Sequence, residues 1–423
     1  MRRRAWGLLL CVWACAPGAE LPLSDSAVPA PGAQPESAPE GQHLWTREVA
    51  GIKDPWKAHV ALNDAGVTGM LSLFLLPWEP EQRQLASIEL LGWNLEGQEQ
   101  WRRQVPGKAP TDDDRYYPWN YAVKPLGNGF LVVNSDEWSA WGSNIDFGCA
   151  QAQVGGGDRL LFLDERGQCT RSLSTGDVAV GVTAWGSDVW VSQLCHRCKG
   201  TYWPSMKRFN TSGQLVHEFP VGRVPMPQLQ LLHEGTGTML SWNEGTTVLS
   251  RRAETFDVLW TRTLPIHIVG PPAVLPGGEL GVVGQRVQGQ GFSFGESTLP
   301  AGNDLVLLRL TAQGEPLRAV GTGVPELRIS DKFATDSSGV VLVLDGDTQT
   351  ASVVALSWEG RTRWMQTLRP WAPEGCELHV TSLASHPLHG VRVAGVVVDK
   401  QAGAGACDPL QVHRRSFVVA FTR

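Results

Sequence analysis

Charge is scarce in this chain: Asp, Glu, Lys and Arg make up 18 % of its 423 residues. Past Arg2, Arg3 and Arg4 there is no run of basic residues, and the formal net charge is −6; without those three arginines it is −9. An acidic chain with no basic run repels phosphate backbones, so the composition excludes nucleic-acid binding. No apolar run reaches the roughly 20 residues that a membrane-spanning helix needs. The GxxxxGK[ST] phosphate loop, the HExxH zinc motif, EF-hand ligand spacing and a Rossmann-type glycine fingerprint are all missing. Cys195-His196-Arg197-Cys198 is followed by Lys199 rather than His, which excludes c-type haem attachment.

Turn formers and large aromatics are abundant instead. Gly (47) and Pro (28) together are about 18 % of the chain, against a usual share of roughly 12 %, and there are 18 Trp. With 42 % hydrophobic residues a large core is possible, so the bulk of the chain is not disordered. Many turns, few charges and many aromatics suit an all-β fold of short strands.

The N-terminus carries an address. Arg2, Arg3 and Arg4 precede a short apolar stretch, Ala5 through Ala14, which reads as a signal peptide. Its end, Val12-Trp13-Ala14-Cys15, resembles a bacterial lipobox and makes Cys15 the expected lipidation site; Trp13 departs from the lipobox preference for small residues. The other reading is an ordinary secretory signal cleaved near Ala16 or Ala19. Residues 16–40 are rich in Pro, Ala and Ser and predict a disordered tether. The expected organisation is thus a leader over 1–15, a tether over 16–40 and one domain over 41–423.

That domain repeats. A β-rich run, a short polar turn with Gly and a second run with Trp four residues after the Gly recur at Gly97 and Trp101 and at Gly360 and Trp364. Weaker copies surround Gly167, Gly213 and Gly314, and another keeps Trp260 but has Phe256 in the Gly position. Each copy reads as a hairpin. A further strand signal lies upstream of most copies (GFLVV at 129–133, VVLVL at 340–344), which gives four-stranded units of propeller-blade size. The chain ends on a third strand, SFVVAFTR, while Gly41 to Arg47 matches the fourth-strand pattern of Gly97 to Arg103. The N-terminal strand is therefore expected to complete the last blade and close the ring. Outer strands ending near 105, 175, 221, 264, 322, 370 and 49 count seven blades, with six or eight as alternatives.

These hairpins resemble bacterial propeller repeats of the PQQ-like, WD40-like superfamily over nearly all of 41–423. The resemblance implies a fold and leaves the chemistry open. The aligned Trp45, Trp101, Trp260 and Trp364 are read as packing between neighbouring blades.

Function is expected on the face with the long loops, 134–157, 194–204, 285–303 and 401–413, where strands 2 and 3 are joined. The second blade brings the most chemistry there. Asp112, Asp113, Asp114, Tyr116 and Tyr117 lead into it, and Asp136, Trp138, Trp141 and Asp146 lie in its long loop. Carboxylates there offer ligands to Ca²⁺ or an acid/base pair, and flat aromatics offer stacking to sugar rings. The competing reading is a solvated acidic loop whose aromatics pin an insertion. No cofactor is predicted.

Six cysteines remain beyond the leader, an even count that suits disulfides in an exported chain. Cys376 with Cys407 pairs two positions on one face. Cys195 with Cys198 makes a local bridge, and Cys149 with Cys169 follows by elimination, although Cys169 belongs to the opposite face. Zinc held by Cys149, Cys195, Cys198 and His196 has a weaker case than oxidised pairs.

Together these features predict a bacterial cell-envelope protein, anchored at the outer membrane or surface by an N-terminal lipid, or otherwise periplasmic or secreted. It would act as a binding scaffold for a protein or glycan partner. At the level of blade and anchor it is similar to the propeller lipoproteins of outer-membrane assembly. The alternative is an exported enzyme: a polysaccharide hydrolase or lyase, or, with less support, a quinoprotein-like oxidoreductase. The latter usually carries eight blades, a Trp-docking motif and often an adjacent Cys-Cys pair.

Overall fold

The computed structural model describes residues 39–49, 55–75, 85–106, 120–135, 148–149, 159–175, 178–185, 188–194, 204–210, 213–220, 228–231, 238–243, 246–253, 255, 257–325, 329–345, 350–368, 376–399 and 414–423. Those from Pro39 onward belong to one compact unit. Among the described residues the strands form six four-stranded sheets, one five-stranded sheet and a two-stranded ribbon. The first sheet shows the pattern, with Pro55–Leu62, Thr68–Leu75, Leu85–Trp93 and Glu99–Pro106 paired antiparallel in chain order. The following sheets span 120–174, 178–220, 228–264, 266–325 and 329–367, with the five-stranded one at 266–325. First strands of neighbouring sheets pack against one another at most junctions, and the 228–264 and 266–325 sheets meet through Thr247–Arg252 and Ile266–Ile268, so the sheets are arrayed like blades around an axis: a β-propeller.

The last sheet closes the ring. Cys376–His386, Gly390–Asp399 and Arg414–Phe421 are completed by the N-terminal His43–Val49, paired antiparallel with Arg414–Phe421. Further bonds tie this closing sheet to the first one. Ser72 and Ser416 share a hydroxyl hydrogen bond of 2.6 Å, the Val60 N–H donates to Ser382 Oγ at 3.1 Å, and Thr381 Oγ1 donates to the Ala58 carbonyl at 2.5 Å.

The apolar runs of the middle strands follow from this arrangement. A strand within a stack of sheets is buried on both faces, and period-two alternation divides its residues between two seams. In Gly129–Ser135, Phe130 and Val132 enter the seam with the first sheet, while Leu131 and Val133 enter the seam with the third. In Asp304–Leu310, Val306, Leu308 and Leu310 face the preceding sheet, and Leu305 and Leu307 the following one. Six core clusters among the described residues each lie in such a seam.

The Gly–Trp repeat is a clasp between sheets. Between the third and fourth strands of the first sheet, the Gly97 N–H donates to the Asn94 carbonyl at 3.0 Å and Gly97 takes φ +73°, which opens a bulge between Gly92 and Trp93. This is the three-residue hairpin with glycine in the left-handed position. Glycine serves a second purpose there, since a Cβ on Gly97 would lie 2.6 Å from the Trp45 indole of the preceding sheet. Trp45 Nε1 donates to the Leu95 carbonyl at 2.7 Å, and Arg47 Nε to the Gly97 carbonyl at 2.6 Å. Trp101 repeats the stacking on Gly167, Trp260 on Gly314 and Trp364 on Gly41. Trp101 donates to the Glu165 carbonyl and Trp260 to the Ala312 carbonyl. Each tryptophan thus grips the turn of the sheet after its own, as expected of packing between blades. Where Gly167 and Gly314 are not followed by Trp, Arg171 covers Gly213 and Val320 covers Gly360.

Candidate functional site

The candidate ligands of the second sheet, Asp112, Asp113, Asp114, Tyr116, Tyr117, Asp136, Trp138, Trp141 and Asp146, lie outside the described residues. So do Cys15, Cys195, Cys198 and Cys407. Cys376 opens the first strand of the closing sheet, opposite Asp399.

One described feature belongs to the loop that carries four of those candidates. Cys149 and Cys169 form a disulfide with their Cα atoms 4.7 Å apart. Cys169 starts the outer strand Cys169–Ser174, next to the Asp164–Gln168 turn, at the end of the sheet opposite to the one where the loop departs after Ser135. The expectation that opposite faces count against this pair is therefore corrected. The chain at Cys149 has reached the far end of the sheet, where its side chain packs into the seam with the first sheet.

The long connection at 287–303 behaves in the same way. It includes the ribbon Phe292–Phe294 and Ser297–Leu299. Rather than standing up from the face, the ribbon lies along the outer strand Pro316–Pro325 of its own sheet. The Glu296 N–H donates to the Leu317 carbonyl at 3.2 Å, the Ala319 N–H donates to Ser297 Oγ at 3.2 Å, and Phe294 is buried in the core. A covered outer strand cannot recruit another chain, which is a common way to protect a sheet edge. Gly291-Phe292-Ser293-Phe294-Gly295 in this ribbon spells GxSxG. Ser293 sits within a strand and is exposed, and its hydroxyl shares a 3.1 Å hydrogen bond with Thr298, so the strand–turn–helix setting of a nucleophile elbow is missing.

A second group of residues was not singled out by sequence reasoning: the basic side chains of the first strands. Lys57 and His59 stand on Pro55–Leu62, Lys124 on Asn120–Leu126 and Lys332 on Ile329–Asp336, so three sheets contribute. Burial and the positive charges of Lys57, Lys124 and Lys332 push the His59 pKa down from 6.5 to about 3. His59 Nε2 is buried and has no hydrogen-bond partner among the described residues. Burial also lowers the pKa of Lys57 and Lys124. Lys124 is nevertheless exposed to solvent. The sequence signal is faint: three lysines and one histidine in separate strands, with no common spacing.

Among the described residues no group of three or more His, Cys, Asp or Glu is placed to hold a metal ion. His386 and His389 lie at the turn after the closing sheet's first strand, where their rings stack with centroids 4.5 Å apart. His386 Nε2 is 3.5 Å from Asp64 Oδ1 and His389 Nε2 is 3.0 Å from the Asp64 carbonyl, which links this turn to the first sheet's turn.

No protein-family model matches the chain, and no curated protein sequence matches it. Among solved structures, BamB from Moraxella catarrhalis is similar at 12 % identity and a TM-score of 0.38, over 86 % of this chain and 84 % of that one. The β-propeller domain of the Trilobed protease from Pyrococcus furiosus is similar at 8 % identity and a TM-score of 0.46, over 82 % and 93 %. The sheet topology of this chain by itself makes it a β-propeller.

Proposed function

We propose that the protein is an exported binding or scaffold propeller, anchored at the cell envelope through a lipid on Cys15, that recognises a protein or glycan partner through its long-loop face. The observation that carries this reading is the Cys149–Cys169 disulfide. Such a bond persists in oxidising compartments outside the cytosol, which supports export. It also ties Cys149, which follows Asp136, Trp138, Trp141 and Asp146 in the chain, to the outer strand at Cys169, and a tethered segment has less freedom to lose when a ligand settles on it. In this reading the five-stranded sheet counts as a blade, so the ring has seven; a crystal structure resolving six blades would overturn that count.

The test is a glycan array probed with the purified protein, with and without Ca²⁺, run beside crosslinking on intact cells. Binding that disappears in Asp113→Ala or Trp138→Ala supports the loop face. Binding unchanged in both variants sinks it, and turnover of a bound glycan would move the protein to the enzyme class. The anchor is tested separately, because Cys15→Ser should abolish incorporation of a labelled fatty acid.

A further inference from the structure

An outer strand of this ring can hold the turn of the next sheet with two side chains placed two residues apart. Trp45 and Arg47 do so at Gly97, and Trp260 and Arg262 at Gly314. Each indole lies over the glycine, and each guanidinium Nε donates to its carbonyl, at 2.6 and 3.0 Å. In the outer strand Cys169–Ser174 those two places, four and six residues past Gly167, belong to Arg171 and Leu173. Arg171 has moved onto the turn glycine, since its Cδ would lie 2.7 Å from a Cβ on Gly213. Leu173, shorter than an arginine, is buried in the seam. The space that a tryptophan and an arginine fill elsewhere is left as a groove of about 530 Å³ between the second and third sheets. The 266–325 sheet also lacks the tryptophan, with Arg318 and Val320 in the two places. There, however, Val320 lies against Gly360 and the ribbon covers the strand.

The lining of the groove says what it can take. Leu173 and Phe209, both buried, give it an apolar floor, and the exposed Leu215 stands at its rim. Its ionisable residues are Arg171 and Lys207, and no acidic side chain lines it. Lys207 Nζ donates to the Thr175 carbonyl at 3.1 Å, which leaves two of its three N–H groups for other acceptors. Glu218 Oε1 is 3.9 Å from Nζ, beyond hydrogen-bond distance, and outside the lining. At four other junctions the group laid on the turn glycine is an indole ring. An arginine beside such a ring attracts its face, and an ammonium attracts a carboxylate. We propose that this groove binds a small aromatic carboxylate, with its ring over Leu173 and Phe209 beside Arg171 and its carboxylate paired with Lys207. Its volume falls within the roughly 300–1,000 Å³ of small-molecule sites. The site is separate from the long-loop face, so either reading can fail without the other.

Calorimetric titration of the full-length protein with indole-3-acetate tests this, beside two probes that each lack one half of the ligand. Cyclohexylacetate keeps the charge without the aromatic face, and 3-methylindole keeps the ring without the charge. Indole-3-acetate is expected to bind, and each of the others to bind about tenfold more weakly or not at all. Arg171→Trp puts the ring of the other junctions into the groove, so it should abolish binding while raising the denaturation midpoint. Leu215→Asp changes an exposed side chain at the rim and should weaken binding about tenfold with the midpoint unmoved, because its carboxylate repels that of the ligand. Failure of indole-3-acetate to bind, equal affinity for either partial probe, or affinity unchanged in both variants would each overturn the proposal.

Discussion

Trp45 shows how much a single repeat residue does. It is buried, stacks on Gly97, donates its indole N–H to the Leu95 carbonyl and lies under the Arg392 guanidinium at 5.3 Å. Trp45→Ala should cost about 3–5 kcal/mol in chemical denaturation, the usual range for emptying a buried tryptophan site. Gly97→Ala should cost about 1–3 kcal/mol from the left-handed backbone alone, with the contact against Trp45 adding to it. The spacing of Gly and Trp was legible in the sequence, because one repeat carries both residues four apart, although each Trp clasps the Gly of the next sheet. The basic residues of the first strands were not, since Lys57, Lys124 and Lys332 stand on three separate strands with no common spacing. His59 also makes stability depend on pH. Its folded pKa of about 3 lies below the ordinary 6.5, so between those values the unfolded chain takes up a proton that the folded one refuses. Stability should therefore fall as pH drops through that window, by up to about 1.4 kcal/mol per unit. His59→Gln should flatten the profile, as read from denaturation midpoints between pH 4 and 7.

At the scale of the element, the middle strands were the most legible, since burial on both faces writes a continuous apolar run such as Val340 to Leu344. The connections between second and third strands were legible in length and misread in direction. From residue 136 to Cys149 the chain can extend by up to about 45 Å, whereas a strand of five residues such as Arg159–Leu163 is about 17 Å long. A loop of that length reaches the far end of its sheet, and the disulfide shows that it does. Replacing both cysteines, Cys149→Ser with Cys169→Ser, should lower stability by about 3 kcal/mol, the chain-entropy value for a loop of this size. The reduced parent protein should match the double variant in the same denaturation experiment. A large remaining difference would mean that the serines disturb the seam itself.

For the whole molecule, closure was legible because the two chain ends carry complementary parts of one repeat. The structure adds what holds them together. Arg363 binds Glu40 through two nitrogens, Thr422 Oγ1 donates to the Pro39 carbonyl at 2.6 Å, and Arg423 is paired with Asp336 of the preceding sheet. Removing residues 39–49 would bare the edge of Arg414–Phe421, so the truncated protein should self-associate in light scattering where the parent does not. The central functional claim is that partners meet the ring on the face where second strands end and third strands begin. Site-specific photo-crosslinking in intact cells tests this most directly, with the reactive residue placed at Gln290 or Asn303 on that face, or at Glu96, Arg166 or Gln313 in the turns of the opposite one. Adducts from the first set alone are predicted. Adducts from the turn positions, with none from the loop positions, would contradict the account.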